Sequence, residues 1–133
     1  MKIRAAVLED MGRAPPYAHS LPISVGEIDL DGPGEGEVLV EMKAAGVCHS
    51  DLSTVSGLRP RPMPLVLGHE AAGVVAELGP GVDDLAVGDH VVFSFVPMCG
   101  HCLPCAEGRP VLCEPGSAAN KAGTLASGQR RLH

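Results

Sequence analysis

Four of the five cysteines in this chain lie at positions 99, 102, 105 and 113, in the run Cys-Gly-His-Cys-Leu-Pro-Cys-Ala-Glu-Gly-Arg-Pro-Val-Leu-Cys. Two-residue gaps let neighbouring sulfurs converge on one point, and the longer gap brings the chain back to close a tetrahedron. Zn²⁺ takes four thiolates at about 2.3 Å and keeps no open position when its role is structural. Gly100, Pro104, Gly108 and Pro110, set between the sulfurs, suit a tightly turning loop better than a long helix. Two disulfides or four free thiols are the alternatives. Disulfides need an oxidising compartment, and nothing near Met1 suggests export, so the spacing reads as zinc first.

With 133 residues the chain has room for one domain with a real core and not comfortably for two. Hydrophobic residues make up 45% but aromatics only 2%, so that core must come from Val, Leu, Ala and Met. Seventeen glycines and twelve prolines favour many short strands and turns over a helical bundle. The net charge of −6, with no basic run and few rings to stack on bases, argues against nucleic acid as a partner. The only apolar run near the start, Ala5 to Leu8, stops at Glu9-Asp10, so neither a signal peptide nor a membrane span is expected. The expected location is the cytoplasm.

Lys2 to Leu8 reads as a first strand, broken by Gly12 to Pro16. Ile23 to Leu30 follows as a second strand, and Asp31-Gly32-Pro33-Gly34 turns it. Gly36 to Gly46 alternates clearly: Val38, Val40, Met42 and Ala44 share one face, Glu41 and Lys43 the other. A short helix is predicted up to Ser56, with Gly57 as its stop. Arg59 to Pro64 is rich enough in proline to be extended loop. Strands are predicted again over His69 to Leu78 and His90 to Val96, the cysteine loop hanging from the second. Beyond Cys113 the sequence is polar and glycine-rich and offers no obvious final element. The pattern is mainly β with small helical insertions, an irregular barrel.

Cys48 and His69 stand apart from the cluster. A lone cysteine is usually a small buried hydrophobe, and a lone histidine usually a hydrogen-bonded core or surface residue. Their settings change the balance. Cys48 precedes His49, Ser50 and Asp51 at the mouth of the predicted helix, and His69 sits in Gly68-His69-Glu70 at the start of a strand. A catalytic zinc wants a mixed set such as thiolate plus imidazole, with one position kept for water or substrate. Asp51 and Glu70 are placed to orient such ligands, and Ser50 to pass a proton. Only two ligand candidates are in view, one fewer than such a zinc usually has.

Several segments in order resemble the N-terminal, GroES-like catalytic domain of the zinc-dependent alcohol dehydrogenases, in the medium-chain dehydrogenase/reductase superfamily. They are Gly46-Val47-Cys48-His49-Ser50-Asp51, Gly68-His69-Glu70-Ala71-Ala72-Gly73-Val74-Val75, Gly79-Pro80-Gly81-Val82 and Val87-Gly88-Asp89-His90-Val91, then the four-cysteine loop. The likeness runs along nearly all of residues 1–133, with a zinc lobe over about 97–115. It implies a mainly β fold, a GroES-like irregular barrel with short helices. It also implies a catalytic zinc on Cys48 and His69 with Glu70 beside it, and Asp51 behind the histidine. In that family two cysteines and one histidine hold the catalytic metal, a known set and not one read from this spacing. Ser50 matches the hydroxyl that takes the alcohol proton, and His49 the basic residue placed against the coenzyme pyrophosphate. Cys99, Cys102, Cys105 and Cys113 match the structural zinc site. Ser53 stands where the family carries a relay histidine, and His19, His90, His101 and His133 match no functional position.

The resemblance implies an enzyme that oxidises a small alcohol to an aldehyde or ketone, or the reverse, with NAD(P), and that works as a homo-oligomer. Such an enzyme has a Rossmann domain with a glycine-rich turn. No Gly-x-Gly-x-x-Gly of that kind occurs in residues 1–133, and the family's third ligand, a downstream cysteine, is not reached. The chain therefore reads as an N-terminal portion of a dehydrogenase, inactive alone, with an incomplete barrel and an exposed strand edge. A competing expectation is a non-catalytic, zinc-stabilised β-domain serving as an interaction module, with Cys48 and His69 as core residues. A co-chaperonin, by fold analogy only, leaves the cysteines without a role.

Overall fold

Short strands punctuated by glycine and proline form two three-stranded sheets in the computed structural model, which describes residues 1–133. The strands are β1 (Lys2–Leu8), β2 (Ile23–Asp29), β3 (Val38–Ala45), β4 (Leu65–Val66), β5 (Ala71–Leu78) and β6 (His90–Val92). The helices are α1 (Tyr17–Ser20), α2 (His49–Val55), α3 (Leu103–Ala106) and α4 (Glu114–Ala122), with a 3-10 turn over Pro110–Leu112. One sheet has the order β2-β1-β4 and the other β3-β5-β6, all pairs antiparallel. The sheets stay open and close no barrel, so the expected barrel is present as two separate sheets. At one edge β6 leaves Val92 83% exposed.

Both long strands of the second sheet are irregular. Register shifts between Leu39 and Val40 and between Met42 and Ala44 interrupt the β3–β5 ladder. They spoil the alternation expected there, and Met42 ends up 48% exposed. The strand expected from His69 begins only at Ala71: Gly68 takes φ +107°, a region open to glycine, and turns the chain just before the ladder, where the Glu70 carbonyl accepts the Gly46 N–H at 2.7 Å. The strand expected to reach Val96 pairs only to Val92, after which Ser94 Oγ donates to the Val96 carbonyl 3.0 Å away and turns the chain toward the cysteines.

The core is thinner than expected for a chain of this length. Leu8, Val55, Val75 and Cys113 are its buried apolar residues, and many Val, Leu and Met side chains lie open. Several elements were not expected, among them β4, α1 and α4. Tyr17–Ser20 forms one helical turn, whose last carbonyls at Ser20 and Leu21 are taken by Arg13 at 3.1 and 3.0 Å. The larger correction lies past Cys113. Glu114–Ala122 is a helix, Leu132 bridges to Leu30, and residues 131–133 bond to the end of β2.

The start and stop of α4 follow ordinary rules. Cys113 caps it by accepting from the Gly116 N–H at 3.3 Å, Glu114 and Pro115 fill the first turn, Lys121 the last, and Gly123 ends it. Gly116 obscured the pattern, yet it is required: a Cβ there would meet the Pro97 carbonyl oxygen at 1.7 Å. The helix thus packs against Pro97, at the entry to the cysteine loop.

Candidate metal centres

The four thiols of Cys99, Cys102, Cys105 and Cys113 lie within 4.8 Å of one another, and none is in a disulfide. Tetrahedral zinc with bonds of about 2.3 Å sets sulfurs about 3.8 Å apart, so the donor set and spacing fit that ion. Backbone N–H groups already point at the sulfurs. Cys102 N donates to Cys99 Sγ, and both Cys99 N and Gly116 N donate to Cys113 Sγ, each at 3.3 Å. The His101 and Cys102 amides hold the Cys99 thiol down at about 6. Burial, followed by the neighbouring Cys102, pushes Cys105 up to about 11. Four crowded sulfurs cannot all carry charge without a cation between them, and the loop is built to accept one.

The second group is smaller. Cys48 Sγ, a His69 ring nitrogen and a Glu70 carboxylate oxygen lie within 4.8 Å of one another. Cys48 stands in extended conformation just before α2, with φ −107° and ψ 151°. One oxygen of Asp51, Oδ2, accepts the Cys48 N–H at 3.0 Å, and the other, Oδ1, lies 3.2 Å from His69 Nδ1. A single carboxylate therefore fixes the helix entry and the histidine together. Ser50 Oγ lies 3.0 Å from His69 Nε2. The Ser50 hydroxyl, then its backbone N–H and His69, hold the Cys48 thiol below its ordinary value. Thiolate, imidazole and carboxylate are a donor set that suits zinc.

His69 opens into a cleft of about 130 Å³ between α2, the proline-rich loop and α4. Ser50, Asp51, Thr54, Phe95, Arg61 and Asn120 are among its walls. The Phe95 ring sits 5.0 Å from the His69 ring, centre to centre, and the Arg59 guanidinium carbon lies 5.5 Å from the Phe95 ring centre. Arg61 reaches across to α4, donating to the Asn120 backbone carbonyl and to its Oδ1, both at 2.9 Å.

The family model for the alcohol dehydrogenase GroES-like domain matches residues 34–130. The chain belongs to that family. It is 47% identical, over its whole length, to putative alcohol dehydrogenase D of Mycobacterium tuberculosis and to the NDMA-dependent alcohol dehydrogenase of Amycolatopsis methanolica. A solved alcohol dehydrogenase zinc-binding domain protein from Burkholderia ambifaria superposes on all of it with a TM-score of 0.87 at 41% identity. The chain spans only about a third of each: 34%, 33% and 34% of their lengths. The mainly β reading with short helices and a cysteine lobe accords with these relatives.

This alcohol dehydrogenase domain brings Cys99, Cys102, Cys105 and Cys113 into one group and Cys48, His69 and Glu70, with Ser50 and Asp51 beside them, into another, while His49 lies in neither. His49 is exposed on α2, and Ser53, where a relay histidine was looked for, donates from Oγ to the His49 carbonyl at 3.1 Å. His133 pairs with Asp31 at 2.9 Å, and His101 Nδ1 lies 2.7 Å from the Cys99 carbonyl. Arg59, Arg61, Phe95 and Asn120 were not foreseen as cleft residues. Asn120 was hidden with its helix. The alternating Arg59-Pro60-Arg61-Pro62 was the available signal, since proline on both sides of Arg61 holds it extended. No helix in the chain is long and apolar enough to cross a membrane.

Proposed function

We propose that the chain is the catalytic portion of a zinc-dependent alcohol dehydrogenase, interconverting a small alcohol and its aldehyde or ketone with NAD(P). The convergence of Cys48, His69 and Glu70 on one point carries this reading, backed by membership of the alcohol dehydrogenase domain family. Cys48, His69 and Glu70 would hold the reactive zinc, and Cys99, Cys102, Cys105 and Cys113 a structural one. When bound at the first site, zinc supplies Lewis-acid polarisation of the substrate oxygen.

The chain's own residues do the rest. Asp51 beside Nδ1 favours the proton there, leaving the Nε2 lone pair for the metal. With Nε2 given to the metal, Ser50 Oγ would be left to face the substrate hydroxyl and accept its proton, and a bound nicotinamide would supply the hydride acceptor. Ser53, bonded to the helix backbone, does not extend this path, so the proton would pass from Ser50 to solvent. His49, exposed at the helix start, supports a contact with the coenzyme pyrophosphate. The apolar side of Phe95 holds the carbon skeleton next to His69. Five unpaired cysteines support a reducing compartment, the cytoplasm. A homo-oligomer is the assembly that accompanies this reading.

Zinc analysis of the desalted protein tests the site assignment. Two zincs per chain are expected, one lost in Cys48→Ala and the other in Cys99→Ser. A count unchanged by Cys48→Ala would overturn the catalytic assignment and favour the zinc-stabilised interaction module.

A further inference from the structure

Arg59 and Arg61 are cations in a cleft without an anion of their own. None of the chain's ion pairs involves either. Arg61 spends two donors on neutral acceptors of Asn120, and Arg59 rests by the Phe95 ring. The one acidic side chain in the cleft wall, Asp51, has both oxygens occupied by Cys48 N–H and His69. Burial, then the neighbouring Arg59 charge, pulls Arg61 below the ordinary guanidinium value, the mark of a cation short of compensation.

Position adds to charge. Phe95 stacks between the two chemistries, with the His69 ring on one contact and the Arg59 guanidinium on another. Asn120 pins Arg61 from α4 and donates from Nδ2 to the Phe95 carbonyl at 3.2 Å, so arginine, ring and helix form one unit. Guanidinium groups pair with planar carboxylates through parallel N–H donors, and three of Arg61's five N–H groups have no acceptor in Asn120.

We propose that Arg59 and Arg61 form a carboxylate-binding end of this cleft, so that the compound whose oxygen is taken at Cys48 and His69 carries a carboxylate at its far end. ω-Hydroxycarboxylic acids and the matching aldehyde acids are the substrate class. This rests on the metal reading above for the position of the reacting oxygen, while the anion end depends on the arginines alone.

Calorimetric titration of the zinc-loaded protein, without coenzyme, tests it. The probes are ω-hydroxycarboxylates of three to six carbons and their primary amides, which match in shape and lack the charge. The best-fitting acid should bind at least about tenfold tighter than its amide, since hydrogen bonds to charged groups are the stronger kind. Arg59→Met, which breaks no contact with α4, should cut that preference to within about threefold, and Arg61→Met should do the same. Equal binding of acid and amide overturns the proposal. So does a preference that survives both substitutions, because the acid would then be on the metal. A preference that depends on the arginines in a protein whose zinc count ignores Cys48→Ala keeps the anion site and sinks the dehydrogenase reading instead.

Discussion

Asp51 Oδ1 stands 3.2 Å from His69 Nδ1 while its Oδ2 takes the Cys48 amide at 3.0 Å, so residues 21 positions apart in sequence are set by one carboxylate. The side chains are 13% and 24% exposed, sheltered enough for the contact to hold the ring in place. The link explains why an acidic residue belongs in the first turn of α2. It offsets the positive end of the helix and points the imidazole at the same time.

Asp51→Asn should therefore separate the two metal sites. Loss of the carboxylate behind a ligating histidine typically lowers metal affinity by about 10–100-fold. Zinc competition with a chromophoric chelator should show that loss for one zinc per chain and leave the four-cysteine zinc unmoved. Equal weakening of both sites would mean that Asp51 acts through the fold as a whole.

Chelation at the cysteine lobe should spread beyond the loop. Zinc binding in small thiolate sites is worth about 10–16 kcal/mol at neutral pH, and part of that is folding free energy. Cys113 is fully buried, caps α4 and accepts two N–H groups, so helix and loop should loosen together. Hydrogen exchange after metal removal should rise over residues 97–123 while β1 and β2 keep their protection. Protection unchanged over α4 would show that Gly116 packing, not zinc, holds the helix.

Much of this was legible in the residues because local chemistry fixed it. Strand-length runs between glycine and proline breaks located β1 and most of β5, and ligand spacing brought the four thiols together. What escaped was decided by contacts distant in sequence. Gly116 and Pro115 make 114–122 look like loop, yet proline is at home in a first turn, and glycine is demanded by Pro97 alone. Asn120 as a cleft residue was equally opaque, since only the fold carries it across to Arg61. Met42 escaped because register shifts turned its strand.

Acid should expose a second long-range link. Arg131 N–H groups, then the Gly34 amide, hold the Glu37 carboxyl below its ordinary value of 4.5, and Ser127 adds a further donor. A carboxyl with a lowered folded-state value adds stability that is complete above about 4.5 and fades as pH falls through that lowered value. Arg131→Met should thus destabilise the protein at pH 7, and its urea midpoint should converge with that of the parent as pH falls below the lowered value. Curves that stay parallel throughout that fall would show that Arg131 acts by packing alone.

Gly116→Ala is the sharpest test of how α4 is seated. The added methyl would meet the Pro97 carbonyl oxygen at 1.7 Å, with its carbon at 2.7 Å and Cys113 Sγ at 3.2 Å. In an exposed helix this change would stabilise by up to about 1 kcal/mol, through propensity and a stiffer unfolded chain. Here the contact is with backbone on one side and a metal-binding sulfur on the other, so overpacking wins and costs about 1–3 kcal/mol. The sign is what decides the matter. A lower Tm together with weaker zinc binding at the four cysteines is expected from thermal unfolding and chelator competition. A raised Tm would mean that the helix stands off from Pro97 and that propensity governs it.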